Sequence, residues 1–333
     1  MQQNNAICVF QMRLLGNGIR TSCDWACQWE LPSICRARNI YEREKPFVDR
    51  GPVMIEVIPL TRHVGAEIRG VDLRREVDPA TASELYAAWL DHLVLVFRDQ
   101  RLTADDQRRF TSLFGEIQPP RSRPGQRDPN NPVMWIANAT IDGQRGELPE
   151  GDMQFHADQC YYENPAKGAV LYAMEIPSTG GNTLFSSTYA AYDSLPSDLR
   201  ARAERIQVVF LYDYEKNANR KAPTNWADAP RYVHPAVIVH PETGRRALLV
   251  NRLMADSVVG MPRDLSDALI EQLCQATERA EHIYEHVWRV GDLLIWDNRC
   301  TLHARTDFAP TERRVLRRMA IKGARPIPAV QAA

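Results

Sequence analysis

The feature that most constrains this chain is a succession of short β-prone runs, each cut off by proline or glycine. They cover 168–176, 206–212, 232–239, 247–251, 292–296 and 315–321, and one helical pattern over 265–280 interrupts them. Many short strands with few helices predict sheets packed face to face or closed into a barrel, and argue against alternating βαβ units. No GxGxxG or Walker pattern is present. The glycine-rich piece Ser178-Thr-Gly-Gly-Asn-Thr183 opens no helix, so it reads as a tight turn and not a phosphate cradle.

Upstream of these runs, Asp78-Pro79 supplies an N-cap and a first-turn proline, and Leu85, Trp89 and Leu90 give the helix that follows an apolar face. A buried strand is expected over 93–97. Thr103-Ala-Asp-Asp106 resembles a capping box, and Phe110, Leu113 and Phe114 form the stripe of a second helix. The first 52 residues show neither a period of 2 nor one of 3.6, whereas Val53 begins a strand-like run. We therefore expect an ill-ordered N-terminal extension over 1–52, one domain over 53–326 and a tail over 327–333. Lys plus Arg is 41 and Asp plus Glu is 42, a net charge of -1 that offers no general attraction to nucleic acid or an anionic membrane. No stretch approaches the ~18 apolar residues a membrane span needs. The cysteines number seven, four of them within the first 35 residues and Cys160, Cys274 and Cys300 scattered, which fits a reduced, cytoplasmic protein. Cys23-x3-Cys27 has no second pair to complete a zinc site.

The chemistry begins at Phe155-His156-Ala157-Asp158. Residues i and i+2 of a strand share a face, so His156 and Asp158 are expected side by side if the strand runs through both. His240-Pro-Glu242 offers the same triplet in a turn-like context and reads as a chance match. A distant partner, His303, follows the run Gly291-Asp-Leu-Leu-Ile-Trp-Asp-Asn-Arg-Cys-Thr-Leu. Two histidines and one carboxylate with open positions are the facial triad of non-haem Fe(II) oxygenases. Further on, Arg314, Leu316 and Arg318 share one strand face and Arg313, Val315 and Arg317 the other. Inward arginines are costly unless they meet an anion.

His156-x-Asp158, the turn Pro177-Ser-Thr-Gly-Gly-Asn-Thr183, Trp296-Asp-Asn-Arg299 ahead of His303, and an arginine eleven residues beyond that histidine together resemble the Fe(II)/2-oxoglutarate dioxygenases of the taurine and dichlorophenoxyacetate dioxygenase family. The resemblance spans roughly 53–326 and includes Val96-Phe-Arg-Asp-Gln100. It implies a mostly β fold with flanking helices, a double-stranded β-helix or jelly roll, with iron at one mouth. It implies His156, Asp158 and His303 as the iron ligands, Thr183 and Arg314 as the grip on the distal carboxylate of 2-oxoglutarate, and Arg318 as a contact to an acidic group of the substrate. Gln159 and Tyr161 are weaker candidates for the pocket wall. The implied reaction uses Fe(II), with 2-oxoglutarate and dioxygen as co-substrates, to hydroxylate a small organic anion: a sulfonate, sulfate ester, aryloxyalkanoate or other carboxylate. Hydroxylation beside sulfur, oxygen or nitrogen would also cleave it. The segment 117–124 lacks the histidine that helps bind a sulfonate in taurine-specific members, which argues against taurine itself.

Two other classes fit parts of the pattern. A zinc or manganese hydrolase or isomerase on a jelly roll could use the same triad, but it would have no need of Thr183 and Arg314. A non-catalytic binding protein would have no need of an open metal face. His282 and His286 would mimic a zinc pair only if helical, and their neighbours suit the start of a strand. His234 and His240 flank an expected hairpin and read as structural. Cys160 would share the face of Asp158 if the strand continued, placing a thiol near the iron and exposing it to oxidation. The expected partner is a small anionic molecule, with no nucleic acid and no membrane; a homo-oligomer is compatible with the sequence.

Overall fold

Strand Gly168–Glu175 shows how the sequence builds the interior. Its alternate residues Ala169, Leu171 and Ala173 enter one hydrophobic cluster, while Val170 and Tyr172 enter another. Val94 and Val96 join the first cluster and Leu95 and Phe97 the second; Leu294 and Trp296 part from Leu293 and Ile295 in the same way. A sheet covered on both faces needs nearly continuous apolar strands, which is why these runs lack polar alternation.

The fold was analysed in a computed structural model, which describes residues 54–119, 131–141, 143–147, 151–212 and 229–330. The expected extension over 1–52, residues 120–124 of the segment compared with taurine-specific members, and the end of the tail lie outside the described residues. The protein is mostly β with few helices. An eight-stranded sheet runs in the order Glu56–Pro59, Ala66–Arg69, Val94–Phe97, Leu293–Asp297, Gly168–Glu175, Val315–Ile321, Ile117–Gln118, and Met134–Ala137 also pairs with Val315–Ile321. All its pairings are antiparallel except that between Ala66–Arg69 and Val94–Phe97. A four-stranded sheet has the order Ile283–His286, Thr183–Ser187, Thr301–Arg305, Met153–His156. The first cluster holds Leu171, Leu294 and Leu316 from the large sheet with Phe185 and Leu302 from the small one, so it is the core shared by the two.

Helix Pro79–His92 starts where the sequence places it, with the Asp78 carboxylate accepting from the backbone N–H of Ala80 and Thr81. Helix Ala104–Ser112 has the full capping box, Thr103 and Asp106 each accepting the other's backbone N–H. Trp89, Phe110 and Phe114 pack these helices onto the outer face of the large sheet. The strand expected over 232–239 is two strands, Arg231–Pro235 and Val237–Val239, each in its own three-stranded sheet, so His234 lies within a strand and not beside a hairpin. Val237–Val239 pairs with Ile327–Pro328, just beyond the expected domain end. The turn read from 178–183 leads directly into strand Thr183–Ser187. That strand escaped notice because two serines end it and glycines precede it.

Candidate active site

His156 and His303 are register partners on the antiparallel strands Met153–His156 and Thr301–Arg305. Their ring centroids are 4.1 Å apart. The expectation that Asp158 shares a strand with His156 is corrected, because the strand ends at His156 and Asp158 opens a turn. The turn nevertheless brings the carboxylate back, with Asp158 Oδ1 4.0 Å from His156 Nε2 and Oδ2 3.9 Å from His303 Nε2. His156 Nδ1 lies 2.9 Å from the Gln154 carbonyl, an arrangement that leaves Nε2 as the free lone pair. Phe185 and Trp296 pack against the His303 ring instead.

The electrostatics suit metal binding. Burial lowers the His156 pKa, and it pushes His303 down to about 3, helped by the neighbouring His156, so both rings are neutral donors. Burial alone would raise the Asp158 carboxyl; Arg318, then His303 and His156, overcome it and hold the group below its ordinary range.

The three arginines at the start of the last long strand meet burial in three ways. Arg317 turns to helix Ala104–Ser112, where Gln107 Oε1 and the carbonyls of Leu102 and Thr103 accept from it. Arg318 turns the other way and donates to Asp158 Oδ2 at 2.6 Å, with Nη1 3.6 Å from Met134 Sδ. The anion it meets within the chain is therefore a triad carboxylate. Arg314, 2% exposed, donates through Nε to the Gly181 carbonyl at 3.0 Å, but its buried Nη1 has no hydrogen-bond partner among the described residues. Burial without an acid, beside the Arg305 charge, lowers its pKa to about 9. Such a group is stabilised by an anionic acceptor.

Gly181 makes this approach feasible. Its φ is +65°, and a Cβ there would come within 3.1 Å of Arg314 Cδ and Nε. Two residues on, Thr183 Oγ1 accepts from Trp288 Nε1 at 2.9 Å, which leaves the hydroxyl proton to point elsewhere. Gln159 follows Asp158 at φ 63°, with a buried Oε1 that has no partner among the described residues, and the half-buried Tyr161 ring packs at 4.8 Å from Tyr212.

Cys160 requires a second correction. With no strand beyond His156, its thiol sits in the core, 3.5 Å from Met254 Sδ, and burial pushes it up to about 12, so it is an unreactive thiol. The buried His240 and His286 are each held by a carboxylate of the chain. His286 bridges Tyr284 Oη and Asp292 Oδ2. His240, Asp297 and Cys300 form a second buried cluster, but Arg299 forks onto both Asp297 oxygens at 2.8 and 2.6 Å while His240 Nε2 lies 3.0 Å from Oδ2. That carboxylate is already fully engaged. Sequence reasoning gave Trp288 and Met134 no place beside the site, since neither carries a titratable group.

Two neutral imidazoles and a carboxylate brought together are a donor set that could hold a metal ion, and the buried Arg314 Nη1, with no partner among the described residues, is suited to an anion. The taurine catabolism dioxygenase TauD, TfdA family matches residues 56–320, and the chain belongs to this family. It is 34% identical over 277 residues to the (S)-phenoxypropionate/alpha-ketoglutarate-dioxygenase of Sphingobium herbicidovorans, covering 80% of this chain and 95% of that protein. It is 30% identical to the alkylsulfatase of Acinetobacter baylyi, covering 83% and 88%. Among solved structures, AAD-2 in complex with Mn(II) and N-oxalylglycine superposes with a TM-score of 0.70 at 26% identity, covering 82% of this chain and 99% of that one. The protein is a 2-oxoglutarate-dependent dioxygenase that uses Fe(II) and dioxygen, and the hydrolase or isomerase reading is not favoured.

Proposed function

We propose that His156, Asp158 and His303 hold the iron and that Arg314 and Thr183 hold the distal carboxylate of 2-oxoglutarate. The observation that carries this reading is the buried Arg314 Nη1, with no acceptor among the described residues, on a guanidinium whose Nε donates to Gly181, two positions ahead of Thr183 in the chain. Iron and 2-oxoglutarate, once bound, supply the oxidising chemistry with dioxygen. The chain's own task is placement. The neutral imidazoles offer lone pairs without first losing a proton, and the guanidinium fixes one end of the keto acid so that its other end faces the triad.

The primary substrate is a small organic anion, held by the Arg318 N–H groups that Asp158 leaves free, with Gln159 Oε1 and the Tyr161 ring on the wall. Relatives named for a phenoxypropionate and for alkyl sulfates both handle a carbon bonded to oxygen beside an anionic group. Hydroxylation of such a carbon gives a product that collapses to a carbonyl compound and the released group. The two facing sheets are read as a jelly roll, within a catalytic domain over 53–326. Among the described residues no helix is long and apolar enough to cross a membrane, and a cytoplasmic setting accords with the buried thiols of Cys160 and Cys300. Succinate release stimulated by aryloxyalkanoates, sulfonates, sulfate esters and acylated amino acids tests the substrate class. Stimulation confined to neutral or cationic compounds would refute it.

A further inference from the structure

Asp158 sits where the sheet no longer supports it. The strand carrying His156 ends at that residue, so the backbone N–H and C=O of Asp158 have no ladder partners. Both are taken by one side chain. Asn298 Oδ1 accepts from the Asp158 N–H at 2.7 Å, and Asn298 Nδ2 donates to the Asp158 carbonyl at 3.0 Å and to the Ala166 carbonyl at 2.8 Å. The Asn298 backbone N–H donates to Lys167 O at 3.0 Å, and the residue is 2% exposed.

Asn298 lies in the link between strand Leu293–Asp297 of the large sheet and strand Thr301–Arg305 of the small one, which carries His303. It therefore ties the Asp158 turn to the link that leads into the strand of the third triad member. The turn needs such a tie, because Gln159 next to Asp158 holds φ 63°, a conformation disfavoured for a residue with a side chain. From this geometry we infer that Asn298 is a positioning residue of the iron site, setting where the Asp158 carboxylate stands relative to the two imidazoles. The inference rests on the triad reading above and adds the group that assembles it.

The test titrates Co(II), followed by its visible absorption, into the wild-type protein and the Asn298→Ala, Thr301→Val and His303→Ala variants, with thermal melts run alongside. Thr301→Val is the control: its hydroxyl donates to the Asp297 carbonyl at 2.7 Å in the same link without touching Asp158. Loss of an outer-shell support weakens metal binding by roughly 10–100-fold, and that loss with an altered Co(II) spectrum is expected for Asn298→Ala. Thr301→Val should bind Co(II) as the wild type does, even where it melts lower. Asn298→Ser, which cannot span the three contacts, repeats the measurement if the alanine variant does not fold and should show the same loss. Wild-type affinity and spectrum in the asparagine variants, or an equal loss in Thr301→Val, would overturn the inference while leaving the triad intact. Undiminished Co(II) binding by His303→Ala would overturn the triad reading and the inference together.

Discussion

Arg318 donates to Asp158 at 2.6 Å, so the guanidinium proposed to meet the substrate also grips a carboxylate of the proposed triad. Among the described residues, its Nη1 has the Met134 sulfur, a weak acceptor, at 3.6 Å. An anion arriving beside the proposed triad would thus meet a guanidinium already held in place by Asp158. A charge-assisted hydrogen bond contributes ~1.5–3 kcal/mol, roughly tenfold to a hundredfold in binding. Arg318→Met should raise the KM for an anionic substrate by about that factor. The requirement for 2-oxoglutarate should change little. Steady-state succinate assays with each varied in turn check this split.

Arg314→Met should produce the opposite split, raising the 2-oxoglutarate requirement by about tenfold to a hundredfold with metal affinity unchanged. Among the described residues the buried guanidinium donates to one carbonyl and no acid, so much of its stabilisation is expected to come from the bound carboxylate. Titration of 2-oxoglutarate into the Fe(II) protein without oxygen measures it.

Trp288→Phe removes the indole N–H that the Thr183 hydroxyl accepts, while keeping an aromatic ring against His286. A neutral hydrogen bond is worth about 0.5–1.5 kcal/mol net, so 2-oxoglutarate affinity should fall by only about two- to tenfold. An intermediate effect in the same titration, smaller than that of Arg314→Met, is the expected result.

Much of the site was legible because its chemistry is written in residue types that seldom occur together by chance. His156-x-Asp158, His303 and the arginine eleven residues on announce a metal and an acid before any geometry is known. The two scaffold helices were equally legible from Asp78-Pro79 and from the Thr103–Asp106 box, since capping is local. Strand Thr183–Ser187 was not, because its serines are buried by tertiary packing that local propensity does not encode. Asp158 stands beside His156 without sharing its strand: a turn held by Asn298 returns the carboxylate, where the sequence suggests a continuing strand. Nor does the sequence show that Arg318 has an acidic partner within the chain, a pairing between residues 160 positions apart.

Stability should decline on the acid side through His234. Burial holds this imidazole below its ordinary pKa, with Nε2 2.8 Å from the Tyr162 carbonyl, so the folded protein keeps it neutral. The unfolded chain takes up a proton below pH ~6.5. The stabilisation is complete above that pH and is lost as pH falls towards the lower folded value, with a slope of up to ~1.4 kcal/mol per pH unit. His234→Gln should flatten the difference between urea unfolding at pH 7.5 and at pH 5.5.

The most direct measurement is the visible spectrum of the protein with Fe(II) and 2-oxoglutarate in the absence of oxygen. The account predicts a weak charge-transfer band in the wild type that is lost in Asp158→Ala and in His303→Ala, both still folded, and that needs far more 2-oxoglutarate in Arg314→Met. An undiminished band in either triad variant, or none in the wild type at saturating iron and 2-oxoglutarate, would contradict it.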